Sequence, residues 1–143
     1  MDDELLHGAA SRVPAMAEVE ATAGLGDAIR RSVIQQSMRA GVGHIGSSLS
    51  VADIVAALFG GALSADPDDP DRDRFVLSKG HAALAVYAAL AASGRISEAD
   101  LDTYCGEGSE LAAHPEPVLR GVDFAAGSLG HGLSIAAGAA LAA

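Results

Sequence analysis

Four of the chain's five histidines stand beside glycine or proline at breaks between elements, in Gly43-His44-Ile45-Gly46, Lys79-Gly80-His81, His114-Pro115-Glu116 and Gly130-His131-Gly132. Imidazole gains and loses a proton near neutral pH, so a histidine at a bend between elements can shuttle a proton, donate a hydrogen bond or ligate a metal. Taken singly, each is better read as a capped or hydrogen-bonded surface side chain; four at element breaks together favour one shared site. Gly127, Gly130 and Gly132 add a loop whose backbone N–H groups a ligand can approach closely, at the start of a helix whose dipole favours negative charge. The same glycines serve tight helix packing equally well, and both readings stand at this level. Other chemistries are less well supported. Neither H-x-x-x-H nor C-x-x-C occurs, so these histidines are not assigned to a metal. Cys105 has no basic neighbour in sequence to activate it, and Gly127-Ser128-Leu129-Gly130 is not the G-x-S-x-G of a nucleophilic serine.

These side chains need elements to place them. Asp27 reads as the N-cap of a helix through Ala40 whose apolar face holds Ile29, Val33, Ile34 and Met38, ended by Gly41 and Gly43. Ser50 and Asp53 form an S-x-x-D start for VADIVAALF, which stops at Gly60-Gly61. After the charged turn DPDDPDRDR, Phe75–Ser78 reads as a short apolar strand feeding a helix from Gly80 to Gly94. Ser97 opens a short helix through Leu101, and Val122–Phe124 is a second strand candidate before the last helix. A buried strand leading straight into a helix is the unit of an α/β fold, with helices packed on a mostly parallel sheet. Residues 1–26 have weak periodicity and are expected to be an N-terminal arm or short surface helix, leaving 27–143 as the domain.

The formal net charge of -10, from 9 basic and 19 acidic residues, opposes nucleic acid or an anionic membrane as partner. An anionic ligand must therefore rely on backbone N–H groups, imidazoles or a metal ion. A single cysteine fits a reducing cytoplasm, and the acidic start MDDELLHG is unlike a secretory signal. With 3% aromatic residues and no Trp, the core must be built from Ala, Leu, Val and Ile.

In order and spacing, GHIGSSLSVADIVAALF, DRFVLSKGHAALAVYAALAASG, TYCGEGSELAAHPE and GVDFAAGSLGHGLSIAAGAALAA resemble the N-terminal diphosphate-binding domain of transketolases. They are most similar to the split type, in which that domain is a separate chain. The resemblance covers about Asp27 to Ala143. It implies that His81 reaches the phosphates of thiamine diphosphate, that His114 lies beside the reacting carbon and contacts the donor sugar, and that His44 moves protons in the substrate channel. It also implies that Gly127, Ser128, Leu129 and Gly130 hold the cofactor by backbone and apolar contact. His131 stands where many relatives carry Gln, and its role stays open.

The resemblance further implies Mg2+, with ligands outside this chain, since the family's G-D-G motif is not in the sequence. A C-terminal, pyrimidine-binding transketolase subunit is the expected partner, in a homo- or hetero-oligomer acting on a sugar phosphate. The last helix reaches Ala143 without a glycine, asparagine or basic ending, so the expectation is a truncated product or partial sequence. The alternatives are a deoxyxylulose-phosphate-synthase-like enzyme and a truncated subunit without catalytic activity.

Overall fold

The computed structural model describes residues 15–64 and 68–142. His7 and the first half of the expected arm lie outside the described residues. Helix α1 spans Met16–Ala40, so it begins well before Asp27. The Glu18 carboxylate accepts the Ala15 N–H at 2.9 Å, satisfying one of the free donors at the helix start. Asp27 lies mid-helix and pairs with Arg30 at 3.5 Å. The Ala-Gly-Leu-Gly stretch at 23–26 reads as a break, yet Gly26 is buried where α1 meets α3, Ala52–Ala57. A Cβ at Gly26 would come within 2.9 Å of Asp53 Oδ1 and 3.7 Å of Ala56 Cβ. Close helix contact here outweighs the ~1 kcal/mol propensity cost of a helical glycine.

The buried stripe of α1 is Gly26, Ile29, Val33, Gln36 and Ser37. Ile34 and Met38, expected on that face, are 44% and 78% exposed. Each residue turns the helix by about 100°, which carries Ile34 off the stripe that Val33 occupies. Gly41 ends α1 at φ 64, as its sequence predicts.

Helix α2 spans Ile45–Leu49, and α3 runs on through a π-helical turn, Leu58–Ala62, that contains Gly61 at φ 148. The S-x-x-D start does not form. Val51 is the N-cap of α3, Ser50 donates to the Ser47 carbonyl and Asp53 pairs with Arg30. A 3-10 turn, Gly80–Ala82, leads into α4, Ala83–Ala92. Helix α5, Glu98–Leu101, starts at Ser97 as expected, with Ser97 Oγ accepting the Asp100 N–H at 3.0 Å and the Asp100 carboxylate accepting the Ser97 N–H at 2.9 Å. Helix α6 spans His131–Ala142.

Helix α4 lies at the centre, against α1, α3 and α5. Its residues Ala83 to Ala91 are all buried. Leu84, Tyr87 and Leu90 fill volume, while Ala83, Ala85, Ala88 and Ala89 let neighbouring helices approach. Burying each leucine stabilises the fold by roughly 1.5–3 kcal/mol.

Among the described residues there is no β-strand, which corrects the expected sheet. Phe75–Ser78 and Val122–Phe124 instead lie in irregular stretches of chain. The two stretches are close neighbours. Arg72 and Asp123 form a bidentate ion pair, each side chain 15% exposed, and Ser78 Oγ accepts the Gly132 N–H at 3.2 Å. What separates them from strands is the missing ladder, because extended backbone becomes a sheet only when its N–H and C=O groups pair in register.

Candidate functional site

His44 joins α1 to α2 as the N-cap of α2, with φ 67. A left-handed conformation is uncommon outside glycine, so the surrounding fold holds this residue in a costly backbone state. The flanking glycines, Gly43 and Gly46, have nothing within 4 Å of a Cβ position and leave the histidine exposed.

His81 sits in the 3-10 turn before α4. The residue before it, Gly80, is the point where three segments converge. A Cβ there would overlap the Ala126 carbonyl group, 2.7 Å from its carbon, and approach His114 Cδ2 to 3.1 Å. Glycine is therefore required at 80 by close backbone approach. Lys79 Nζ donates to Ser50 Oγ at 2.6 Å, tying this turn to the α2–α3 junction.

His114 arrives on the loop after α5. Its carbonyl accepts a hydrogen bond at 3.2 Å from the hydroxyl of Tyr87, whose side chain is fully buried in α4. The three histidines so placed are stacked edge to face. The His44 and His81 ring centroids are 4.5 Å apart with 62° between planes, and those of His81 and His114 are 4.6 Å apart at 72°. Desolvation, then the neighbouring His44 and His114 charges, hold His81 below the ordinary histidine pKa. At neutral pH the central ring is uncharged and can both donate and accept a hydrogen bond.

The loop from Gly127 to Gly130 follows Ala126 and is exposed, including Leu129 at 69%. It ends against the start of α6, where the His131 N–H is donated to the Ser128 carbonyl at 3.3 Å. The glycines here divide between the two readings that the sequence leaves open. Gly132 serves packing, since a Cβ would lie 2.5 Å from Ser78 Cα and 2.8 Å from its Oγ. Gly127 has nothing within 4 Å, and Gly130 takes φ 87 in open space. His131 is exposed at the head of α6 and is not part of the stacked trio.

His44, His81 and His114 thus come together from three separate bends, and Gly127–Gly130 lies next to them through the Gly80–Ala126 contact. His44 is exposed, and His81 and His114 are half-buried. Two cavities lie elsewhere, one of 540 Å3 bordered by Val19, Thr22 and Gly60, the other of 450 Å3 bordered by Ile96, Thr103 and Leu119. No group of three or more His, Cys, Asp or Glu placed to hold a metal ion is present among the described residues. Two residues escape sequence reasoning. Ser50 looks like a cap and instead meets Lys79; Tyr87 looks like ordinary core, although its hydroxyl is a lone polar side-chain group in the run ALAVYAALAA.

Residues 21–143 match the family model described as the transketolase, thiamine diphosphate binding domain. The chain is 43% identical over 118 residues to a 6-deoxy-6-sulfo-D-fructose transketolase subunit of a Clostridium species, covering 80% of this chain and 43% of that subunit. It is 41% identical over 117 residues to an apulose-4-phosphate transketolase subunit of Phocaeicola vulgatus, covering 80% of this chain and 42% of that relative. Against human transketolase the identity is 42% over 130 residues, covering 89% of this chain and 21% of that enzyme. The chain therefore spans less than half the length of these curated relatives.

Proposed function

The chain belongs to the transketolase family through its thiamine diphosphate binding domain, and from this we propose that it forms the diphosphate-binding half of an enzyme moving a two-carbon ketol unit from a ketose phosphate to an aldose. The observation that carries the reading is the meeting of His44, His81 and His114 beside the exposed backbone of Gly127–Gly130.

The residues present suit the cofactor. Gly127 leaves its backbone uncovered, Leu129 offers 69% of its surface as an apolar contact, and Lys79 and His81 lie across the same convergence point. When bound, thiamine diphosphate supplies an electron sink for carbon–carbon bond cleavage. In this reading His81 donates a hydrogen bond toward the diphosphate. His114 orients the donor sugar through a hydroxyl, and His44 moves a proton at the mouth of the site. Leu129 packs against the ring end of the cofactor. Mg2+ belongs with the diphosphate and would be held by residues other than these histidines.

A second, pyrimidine-binding subunit or domain completes the site in this proposal, which is in keeping with two of the relatives being named as transketolase subunits. The setting is cytoplasmic carbohydrate metabolism. No helix among the described residues is long and apolar enough to cross a membrane. The two stretches joined by Arg72 and Asp123 are where the parallel sheet of an α/β fold would pair.

The test is turnover of a ketose phosphate and an aldose by the chain with its partner, thiamine diphosphate and magnesium. His114→Ala is expected to lower the rate by roughly 10²-fold, the usual worth of a contact that orients the substrate. Unchanged turnover in that variant overturns the role given to His114. Release of carbon dioxide from pyruvate plus an aldose phosphate, without ketol transfer from a ketose, overturns the reaction class.

A further inference from the structure

We propose that Tyr87 is a positioning residue whose buried hydroxyl sets the direction of the His114 ring by holding the His114 carbonyl. The functional meaning of this rests on His114 facing the substrate; the geometric claim does not.

The hydroxyl carries a cost in this position. Helix α4 is otherwise wholly apolar across Ala83 to Ala91, and Tyr87 is fully buried in it. A phenylalanine would fill the same volume without a polar group, and a buried hydroxyl left unpaired is destabilising. The hydroxyl finds its partner in the His114 carbonyl, 3.2 Å away. Burial pushes the Tyr87 pKa well above its ordinary range, with Tyr104, Cys105 and Glu116 adding in the same direction. The group therefore remains a donor at every pH the folded chain meets.

The acceptor is equally informative. His114 precedes Pro115, which is buried. The ring of a following proline restricts the preceding residue to extended backbone. Fixing the carbonyl of a residue so restricted leaves little freedom in its Cα–Cβ direction. Tyr87 and Pro115 together thus aim the His114 imidazole at His81, whose centroid lies 4.6 Å away. From the other side Gly80 admits His114 Cδ2 to 3.1 Å of a Cβ position. A small rotation of the His114 backbone would accordingly open or close the stacked trio.

Tyr104 supplies a matched comparison. It is also buried, its ring centroid is 6.1 Å from that of Tyr87, and the hydrogen bond to the His114 carbonyl comes from Tyr87 and not from it. The experiment is NMR of the histidine rings in the full chain, comparing Tyr87→Phe with Tyr104→Phe. Tyr87→Phe is expected to weaken the ring-to-ring proton contact between His81 and His114. It should also raise the His81 titration midpoint toward the ordinary value of about 6.5, because one of the two charges that depress it moves away. Tyr104→Phe should leave both unchanged. An unaltered contact and midpoint in Tyr87→Phe overturns the proposal, as do equal changes in the two variants. In the assembled enzyme Tyr87→Phe should lower kcat more than it raises KM. Ring changes without any change in turnover would uphold the positioning role and count against the assignment of His114 to the substrate.

Discussion

At the scale of single residues, the glycines separate fold from site. Gly80→Ala places a methyl group into the Ala126 carbonyl, and both partners are backbone that cannot swing aside. Overpacking of this kind costs about 1–3 kcal/mol, so its urea midpoint should fall clearly. Gly127→Ala meets open space and should change stability by less than about 0.5 kcal/mol, while weakening thiamine diphosphate binding in the complete enzyme. The central histidine adds a pH dependence. His81 takes up its proton at a lower pH in the folded chain than in the unfolded one, so the unfolded chain binds more protons once pH falls to the ordinary histidine range. Stability is therefore expected to drop as pH falls from about 6.5 downward, and a urea titration of His81→Gln should show a smaller drop than the parent. A gathering of histidines from glycine and proline breaks is legible in the sequence for His44, His81 and His114, but not its membership, since His131 stands at such a break and lies outside the trio. What each glycine is for is not legible there. Gly132 and Gly127 stand five positions apart in one motif, yet one touches Ser78 and the other touches nothing.

At the scale of elements, the sequence serves short capped helices well and long-range contacts poorly. Ser97 and Asp100 mark α5 because both halves of that cap are local. The start of α1 is hidden because Gly24 and Gly26 look like breakers until α3 lies against the helix, and α3 is distant in sequence. The strand candidates carry the right apolar pattern, but a strand is defined by its neighbour's backbone, which no local pattern specifies. Side chains join the two stretches instead, and the Arg72–Asp123 pair is a strong link. Asp123 raises the Arg72 pKa, chiefly through the direct hydrogen bond and against the effect of desolvation. Arg72→Ala leaves a half-buried carboxylate without its partner and should cost about 1–3 kcal/mol. The exposed Arg74→Ala, tested alongside by thermal denaturation, should cost far less.

At the scale of the whole molecule, the histidine trio and its glycine loop form an open face. Small-ligand sites bury about 70–90% of their ligand, so a face with exposed His44, Gly127 and Leu129 needs an opposing wall. The net charge of -10 adds a further barrier to a diphosphate. Calorimetry is expected to show binding of thiamine diphosphate with magnesium when the pyrimidine-binding partner is present, and far weaker binding by this chain alone. Equal affinity in both experiments would remove the case for a shared site. The paired phenols of α4 and the α5 loop also give the chain an internal spectroscopic signal. There is no tryptophan, and Tyr87 and Tyr104 are its two tyrosines, buried with their rings 6.1 Å apart. Ultraviolet emission from the unlabelled chain therefore arises from the single region that carries His114, and will report loosening there before any engineered dye is attached.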